Sequence, residues 1–413
     1  MQAVVLAAGE GSRMLPLTSS RPKVMLPAGG KPFIEHLVQR ASKAGVTEII
    51  LVVGYRSESI KDMLKEGDGL GTKIRYAFQK EQRGTGHALM AAAGMTEDQF
   101  LVLNGDVLTD VLSLSRMAVG EGLAVAAKKV AHPSRYGVFE VEEGSLKSVT
   151  EKSRSPPSDL ANAGIYRLDK RVFDALREIP LSERGEYELT DLLNILVSRG
   201  EDIRMIEIDE WIEIGRPWDI LKANESLLDS GDHAILGEVE PNAFLHGRIS
   251  VGSGTRIRSG SYIQGPVSIG KNCDIGPNCF IRPYTSIGDN VRIGSAVEIK
   301  NSTIMESSNV AHLSYVGDSI IGSHCNFGAG TIVANLRHDD GEIRSYIKDK
   351  KVNSERRKLG VIMGDDVKTG INTTIYPGTV IETGYTGRPG EALRGRITAT
   401  ISSLGPECSR KRD

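Results

Sequence analysis

Cysteine is scarce in this chain: Cys273, Cys279, Cys325 and Cys408, with no C-x-x-C pair among them. That excludes a disulfide framework and the paired-thiol zinc and redox motifs. Cys273 and Cys279 lie one step of a local repeat apart, so they read as structural thiols. Proline is also thin, 16 residues against 46 glycines, and aromatics make up only 5%. Glycine without proline excludes collagen-like and proline-rich linker sequences and points to many tight turns. An excess of charge is missing: 51 Lys+Arg balance 53 Asp+Glu for a net −2. No general attraction to nucleic acid or to an anionic membrane follows. The apolar run near the start, Ala3 to Ala8, is too short to span a bilayer or to act as a signal peptide. The expected compartment is the cytoplasm. What is present is ordinary for a soluble globular protein: 413 residues, 39% hydrophobic and 25% charged. That length predicts two or three domains.

Before about residue 230, short apolar runs alternate with helix-period segments. Ala3–Ala8 reads as a buried strand entering a Gly-rich loop. Phe33, Ile34, Leu37, Val38, Ala41 and Ala44 share one helical face. Ile49–Val53, Ile74–Phe78 and Phe100–Leu103 read as further strands, with a helix over His87–Ala93. Such alternation predicts a mixed, mainly parallel sheet covered by helices, with ligands beyond the strands' carboxyl ends.

The pattern then changes. Ile257, Ile263, Ile269, Ile275, Ile281, Ile287, Ile293 and Ile299 recur every six residues. A period of six cannot hold one helical face, but it does hold one face of a strand. Short strands joined by Gly-containing turns and stacked repeatedly are the signature of a β-solenoid. The row breaks over 301–318, resumes at Ile321, Phe327 and Val333, and is interrupted again by a charged stretch, 337–358. That stretch reads as a loop thrown out from the solenoid. From Thr386 to Asp413 no clear period remains, and a mobile tail is expected. The predicted division is 1–228, 229–385 and a tail, 386–413.

The first strand leads into Leu6-Ala7-Ala8-Gly9-Glu10-Gly11-Ser12-Arg13. Such a strand-to-helix loop offers backbone N–H groups to phosphate oxygens. It is not the dinucleotide fingerprint, Met14 standing where the third Gly belongs, and it lacks the GK[ST] of a Walker A loop. Arg13 and then Lys23, within Arg21-Pro22-Lys23, add cations suited to stabilising charge at phosphorus. With Pro16-Leu17-Thr18 and Leu26-Pro27, the pattern LAAGxGSR…PLT…PK…LP resembles the sugar-1-phosphate nucleotidyltransferase family. The resemblance implies the following roles. Leu6, Ala8, Gly9, Gly11, Gln79, Gln82, Gly84 and Thr85 would bind the nucleotide. Gly137, Glu151 and Asn162 would bind the sugar. Asp106 and Glu213 would hold Mg²⁺, Glu213 standing where many relatives have Asp. Arg13 and Lys23 would assist attack of a sugar 1-phosphate on a nucleoside triphosphate.

Where the isoleucine row fails stand His312-Leu313-Ser314-Tyr315-Val316-Gly317-Asp318, then Asn326-Phe327-Gly328-Ala329-Gly330-Thr331 and Asn335. This order resembles the acetyltransferase domain of bifunctional enzymes making UDP-N-acetylglucosamine, the archaeal two-domain type above all, over roughly 1–380. It implies a left-handed β-helix and His312 as general base, a role suited to an imidazole. Arg282, Lys300, Tyr315, Asn326 and Asn335 would bind the amino-sugar phosphate, and Ala329 would line the acetyl-CoA path. Relatives' Asn-Tyr is Asn335-Leu336 here. A loop lysine has no counterpart, Lys348, Lys350 and Lys351 being the candidates. The family also implies a homotrimer. Two alternatives stay open: a nucleotidyltransferase whose β-helix only assembles the oligomer, and a non-catalytic regulatory subunit, against which Arg13, Lys23 and Asp106 all speak.

Overall fold

The computed structural model describes residues 1–182, 185–231 and 233–398, to which every statement below refers. The chain folds as two units. The first holds residues 1–12, 21–27 and 31–215; the second holds 13–20, 28–30 and the chain from 216 onward.

The first unit is built on one nine-stranded sheet. Its strands are β1 Gln2–Leu6, β2 Glu48–Val53, β3 Lys73–Phe78, β4 Gln99–Asn104, β5 Leu123–Lys129, β6 Gly137–Glu142, β7 Ser145–Glu151, β8 Leu160–Asp169 and β9 Ile203–Glu207. Their order is β3-β2-β1-β4-β8-β5-β9-β7-β6. Helices α1 Phe33–Lys43, α2 Ser57–Leu64, α3 Thr85–Met90, α4 Val111–Ala118, α5 Val172–Leu176 and α6 Leu189–Ser198 accompany it. Ile49 to Val53 of β2 are all buried, as a strand covered on both faces must be. Edge strand β3 instead exposes Lys73, Arg75 and Phe78, a charged edge that discourages further pairing. Helix α1 buries Phe33, Ile34, Leu37, Val38 and Ala41, the face read from the sequence. The run β3-β2-β1-β4 is parallel. β8 then enters antiparallel to both β4 and β5, so the far half of the sheet is mixed.

In the second unit, helix α7 Asp219–Asp229 precedes a solenoid of three parallel sheets. Ile257, Ile275 and Ile293 pair in register, one coil being 18 residues and three hexapeptides. Their side chains are 0% exposed, as are those of Ile263, Ile281 and Ile299. Each such burial contributes about 1.5–3 kcal/mol. Between the short strands the chain turns through left-handed corners at Asn272, Asn278, Asn290, Asn301 and Asp318, among others. Asn and Asp tolerate that conformation better than other side chains bearing a Cβ. Stacked hexapeptide coils on three sheets define a left-handed parallel β-helix.

Two sequence expectations need correction. The isoleucine row does not stop at 301–318: the coil continues with Ile304, Val310 and Val316 facing inward. Two coils are merely 17 residues long, Ile299 pairing with Val316 and Val316 with Val333. The missing residue falls each time at one corner, first at Asn301 and then at Asp318, which shifts the phase of the repeat without breaking it. Nor does the solenoid end at 385, since Ala392–Leu393 and Arg396–Ile397 add further rungs. The rest of the expected tail, 399–413 with Cys408, lies outside the described residues. The charged stretch 337–358 does leave the coil, at the next corner of the same edge. It contains an antiparallel hairpin, Arg344–Ile347 with Lys350–Asn353. Cys273, Cys279 and Cys325 are buried free thiols, Cys325 being pushed by burial up to about 12.

Candidate active sites

The parallel strands β1, β2, β3 and β4 all end at one edge of the first unit. There the chain places Ala7-Ala8-Gly9, Gly54, Gln79 and Gly105-Asp106 side by side. Gly105 donates its N–H to Leu6 O at 2.9 Å. A Cβ there would meet that carbonyl at 2.7 Å, so only glycine allows the approach. A Cβ on Gly54 would likewise sit 2.7 Å from Gln82 Nε2. Gly9 has open space where its Cβ would be, an unobstructed backbone of the kind a phosphate cradle needs.

Lys23 and Asp106 form an ion pair, both partly exposed. Val107–Leu108, directly after Asp106, pairs antiparallel with Ile212–Glu213, and Ile214 N donates to Asp106 O at 3.0 Å. This pairing brings the Glu213 segment to the Asp106 segment from more than a hundred residues away in sequence. Two carboxylates, one in the turn just before this strand pair and one on it, suit Mg²⁺, which takes one or two carboxylates plus waters and phosphate oxygens. No cluster of three or more potential metal ligands exists among the described residues, and Mg²⁺ requires none.

The sugar-side candidates gather beyond the same edge. Glu151 pairs with Gly137 across β7 and β6, its carboxylate filling the place a Cβ on Gly137 would need. Asn162 donates to the buried Tyr166 hydroxyl at 2.9 Å and accepts from Gly164 N at 3.0 Å. Burial raises the Tyr166 pKa above its ordinary value. Gln79 Nε2 donates to Gly84 O at 3.2 Å and lies 3.0 Å from His87 Nδ1. Thr85 Oγ1 accepts from Leu189 N at 3.0 Å, tying the start of α3 to that of α6. Two residues outside the site reading enter here. Asn104 Oδ1 and Trp211 Nε1 are buried without a partner, and such atoms are expensive unless something completes them. The Trp211 ring meets Tyr136 edge-on at 5.0 Å. In the sequence they stand two residues before Asp106 and Glu213, respectively, inside the same motifs, without a role of their own.

Arg13, in the turn Ser12–Met14, belongs with residues 13–20 to the second unit. There Ser20 hydrogen-bonds to Asp365, and Ser19 Oγ lies 2.8 Å from Thr383 Oγ1.

The β-helix candidates are explained by register. On one sheet, Phe280, Glu298, Tyr315 and Ile332 form one outward column. Lys300 pairs with Gly317 in the neighbouring column, which Arg282 enters one coil before Lys300. Arg282 Nη1 donates to Glu298 at 2.8 Å. At Gly317 the column has no side chain. A Cβ there would lie 2.6 Å from both Tyr315 Oη and Asn335 Nδ2. Asn335 Nδ2 donates to that hydroxyl at 3.3 Å and to Asp318 Oδ2 at 2.5 Å. Burial lowers the Lys300 pKa, with Lys358 and Arg282 adding to the shift and Asp318 opposing it. The Tyr315 pKa is raised by burial and by the Asp318 charge. Lys358 is therefore the loop cation beside Lys300, whereas Lys350 and Lys351 sit exposed on the hairpin.

His312 lies around the corner, ending the strand Asn309–His312 of the next sheet. Its side chain is exposed, and its backbone carbonyl accepts from Gly330 N, which puts Ala329 on the coil above. Asn326, stacked on Asn309, belongs to that second sheet. The structure thus gathers Arg282, Lys300, Tyr315 and Asn335 on one face, and His312, Ala329 and Asn326 beside it. Glu298 and Asp318 had no role in the sequence reading, although Asp318 ends the His312–Asp318 motif and Glu298 stands two residues before Lys300.

A nucleotidyltransferase sheet and a hexapeptide β-helix of acyltransferase type make this a two-domain transferase. Comparison with known proteins is specific. Residues 2–230 match the nucleotidyl transferase family model, and residues 263–384 match a GMPPB C-terminal domain. "Bifunctional protein GlmU" of Methanococcus maripaludis is 46% identical over 92% of both chains. The Methanocaldococcus jannaschii protein of that name is 42% identical, with the same coverage. A "bifunctional sugar-1-phosphate nucleotidylyltransferase/acetyltransferase" of Sulfurisphaera tokodaii is 41% identical over 92% of this chain and 94% of its own. The chain belongs to this family of archaeal bifunctional nucleotidyltransferase/acetyltransferases. A solved UDP-glucose pyrophosphorylase complexed with UDP-glucose covers 56% of this chain and 99% of its own, at 27% identity and TM-score 0.51. No helix among the described residues is long and apolar enough to cross a membrane.

Proposed function

We propose that the enzyme acetylates glucosamine 1-phosphate from acetyl-CoA and then joins the N-acetylglucosamine 1-phosphate to UTP, releasing pyrophosphate. One observation carries the acetyl-transfer half: Arg282, Lys300, Tyr315 and Asn335 converge on one face of the solenoid. A pure scaffold has no use for cations and orienting amides stacked on successive coils, whereas an amino-sugar phosphate needs both. His312 takes a proton from the amine as nitrogen attacks the thioester carbonyl and the thiolate of coenzyme A leaves. Asn326 binds the amino sugar, and Ala329 lines the thioester path.

In the first unit, the backbone of Leu6, Ala8, Gly9 and Gly11 receives the triphosphate. Gln79, Gln82, Gly84 and Thr85 hold the base. Gly137, Glu151 and Asn162 hold the sugar. Lys23 and Arg13 steady the phosphates, most strongly as charge builds in the transition state. Asp106 and Glu213 are the residues that would hold Mg²⁺. When bound, the ion supplies charge neutralisation on the reacting phosphates. The uridine preference is supported by the UDP-glucose complex of the solved relative. Assembly as a homotrimer follows the family.

Two assays test the reading. Thiol release from acetyl-CoA must require glucosamine 1-phosphate, and pyrophosphate release from UTP must require N-acetylglucosamine 1-phosphate and Mg²⁺. Pyrophosphate release without any acceptor-dependent thiol release would leave the β-helix a scaffold.

A further inference from the structure

The two shortened corners of the solenoid lie one above the other, and they are joined. Asn301 Nδ2 donates to Asp318 Oδ1 at 2.8 Å. Asp318 is 2% exposed, yet carries a carboxylate. Its Oδ2 accepts from Asn335 Nδ2 at 2.5 Å and faces the Lys300 ammonium at 3.7 Å. A buried carboxylate is tolerated only when donors surround it, and here three side chains from the coils on either side of Asp318 do so.

The carboxylate also settles an orientation. An ionised Asp only accepts hydrogen bonds, so an amide beside it must turn its NH₂ inward. Both hydrogens of Asn335 Nδ2 are then used, on Asp318 and on the Tyr315 hydroxyl. What remains for a ligand is Asn335 Oδ1 as an acceptor and the Tyr315 hydroxyl hydrogen as a donor. Asn301 shows the same constraint from the other side. Its NH₂ is shared between Asp318 and Glu225, the latter at 3.0 Å, while its Oδ1 is buried with no partner. An orphaned carbonyl oxygen is what remains when two carboxylates both demand the amino end of one amide.

We propose that Asp318 is a positioning residue for acetyl transfer: it fixes Asn335 and Tyr315 so that an acceptor oxygen and a donor hydroxyl meet the amino-sugar phosphate. This rests on the acetyl-transfer reading above. The substrate amine must keep a hydrogen pointing to an acceptor while its lone pair faces the thioester, and Asn335 Oδ1 is that acceptor.

The test is steady-state kinetics of acetyl transfer by the full chain carrying Asp318→Asn. The new amide confronts two donors with one oxygen. Asn335 satisfies it by flipping, which turns its NH₂ toward the substrate amine. The expected result is a fall of about 10- to 100-fold in kcat/KM for glucosamine 1-phosphate. The KM for acetyl-CoA stays within about twofold, since that substrate does not meet the flipped amide. A purely structural role would lower kcat through loss of active enzyme and leave the KM for glucosamine 1-phosphate unmoved, whereas an amide NH₂ aimed at the substrate amine raises that KM. The exchange variant Asp318→Asn/Asn335→Asp restores an amide donating to a carboxylate and keeps an oxygen toward the substrate. It recovers at least about tenfold of the loss. Unchanged kinetics in Asp318→Asn, or no recovery in the exchange variant, overturns the proposal while leaving acetyl transfer intact. A wild-type enzyme with no acetyl transfer overturns the underlying reading and this proposal with it.

Discussion

Replacing His312 by Ala isolates the chemistry of the second unit. The His312 side chain is exposed, and its imidazole has no hydrogen-bond partner among the described residues. The backbone that its carbonyl supports is unaffected by the change. Loss of the ring should therefore alter stability by no more than about 0.5 kcal/mol in either direction. A general base contributes about 10²- to 10⁴-fold, equivalent at about 1.4 kcal/mol per decade to about 3–6 kcal/mol of transition-state stabilisation. The expected result is a fall of that size in kcat for acetyl transfer, followed as thiol release from acetyl-CoA. The melting temperature and the rate of nucleotidyl transfer by the same preparation should stay near wild type. A fall below about tenfold would remove His312 from the reaction. An equal fall in both activities would mean that the substitution acted on folding.

Asp106→Asn should lower nucleotidyl transfer at least about 100-fold and raise the Mg²⁺ concentration needed for half-maximal rate. Acetyl transfer measured alongside should persist. Gly317→Ala forces a methyl into contact with Tyr315 and Asn335, both 2.6 Å from its Cβ position, and should raise the KM for the amino-sugar phosphate about tenfold or more. Lys300 has its pKa lowered from 10.5, chiefly by burial, so its positive charge is lost at a lower pH than that of an ordinary lysine. kcat/KM for glucosamine 1-phosphate should then fall as pH rises through that lowered pKa, and Lys300→Arg should flatten this alkaline limb. For stability the sign is reversed. The charged lysine is the costly form in the fold, so its contribution is best above 10.5 and is lost as pH falls through the lowered value.

The β-helix was legible because eight isoleucines in strict six-residue register favour stacked coils over an antiparallel sandwich, and the inward Ile257-to-Ile299 row is buried as the spacing requires. Its continuation was not legible. Dropping one residue at Asn301 and another at Asp318 moves the repeat out of phase, and a shift in phase looks like a break in a linear sequence. The Gly-rich loop, Lys23 and Asp106 were readable as local motifs. The antiparallel entry of β8 was not, because strand direction depends on pairing partners far apart in the chain. Glu298 and Asp318 were hidden for a related reason. Each stands beside a motif residue, and only the stacking of coils shows Glu298 bonded to Arg282 and Asp318 holding Asn335. Asn104 and Trp211 stand in the Asp106 and Glu213 motifs, but only burial shows Oδ1 and Nε1 without partners.

The measurement that tests the central claim most directly follows one sample of the full chain by mass spectrometry. It is given glucosamine 1-phosphate, isotopically labelled acetyl-CoA, UTP and Mg²⁺. Two active sites on one chain predict UDP-N-acetylglucosamine carrying the labelled acetyl group, with coenzyme A and pyrophosphate formed in equal amounts. Pyrophosphate and an unlabelled nucleotide sugar, with acetyl-CoA untouched, would contradict it.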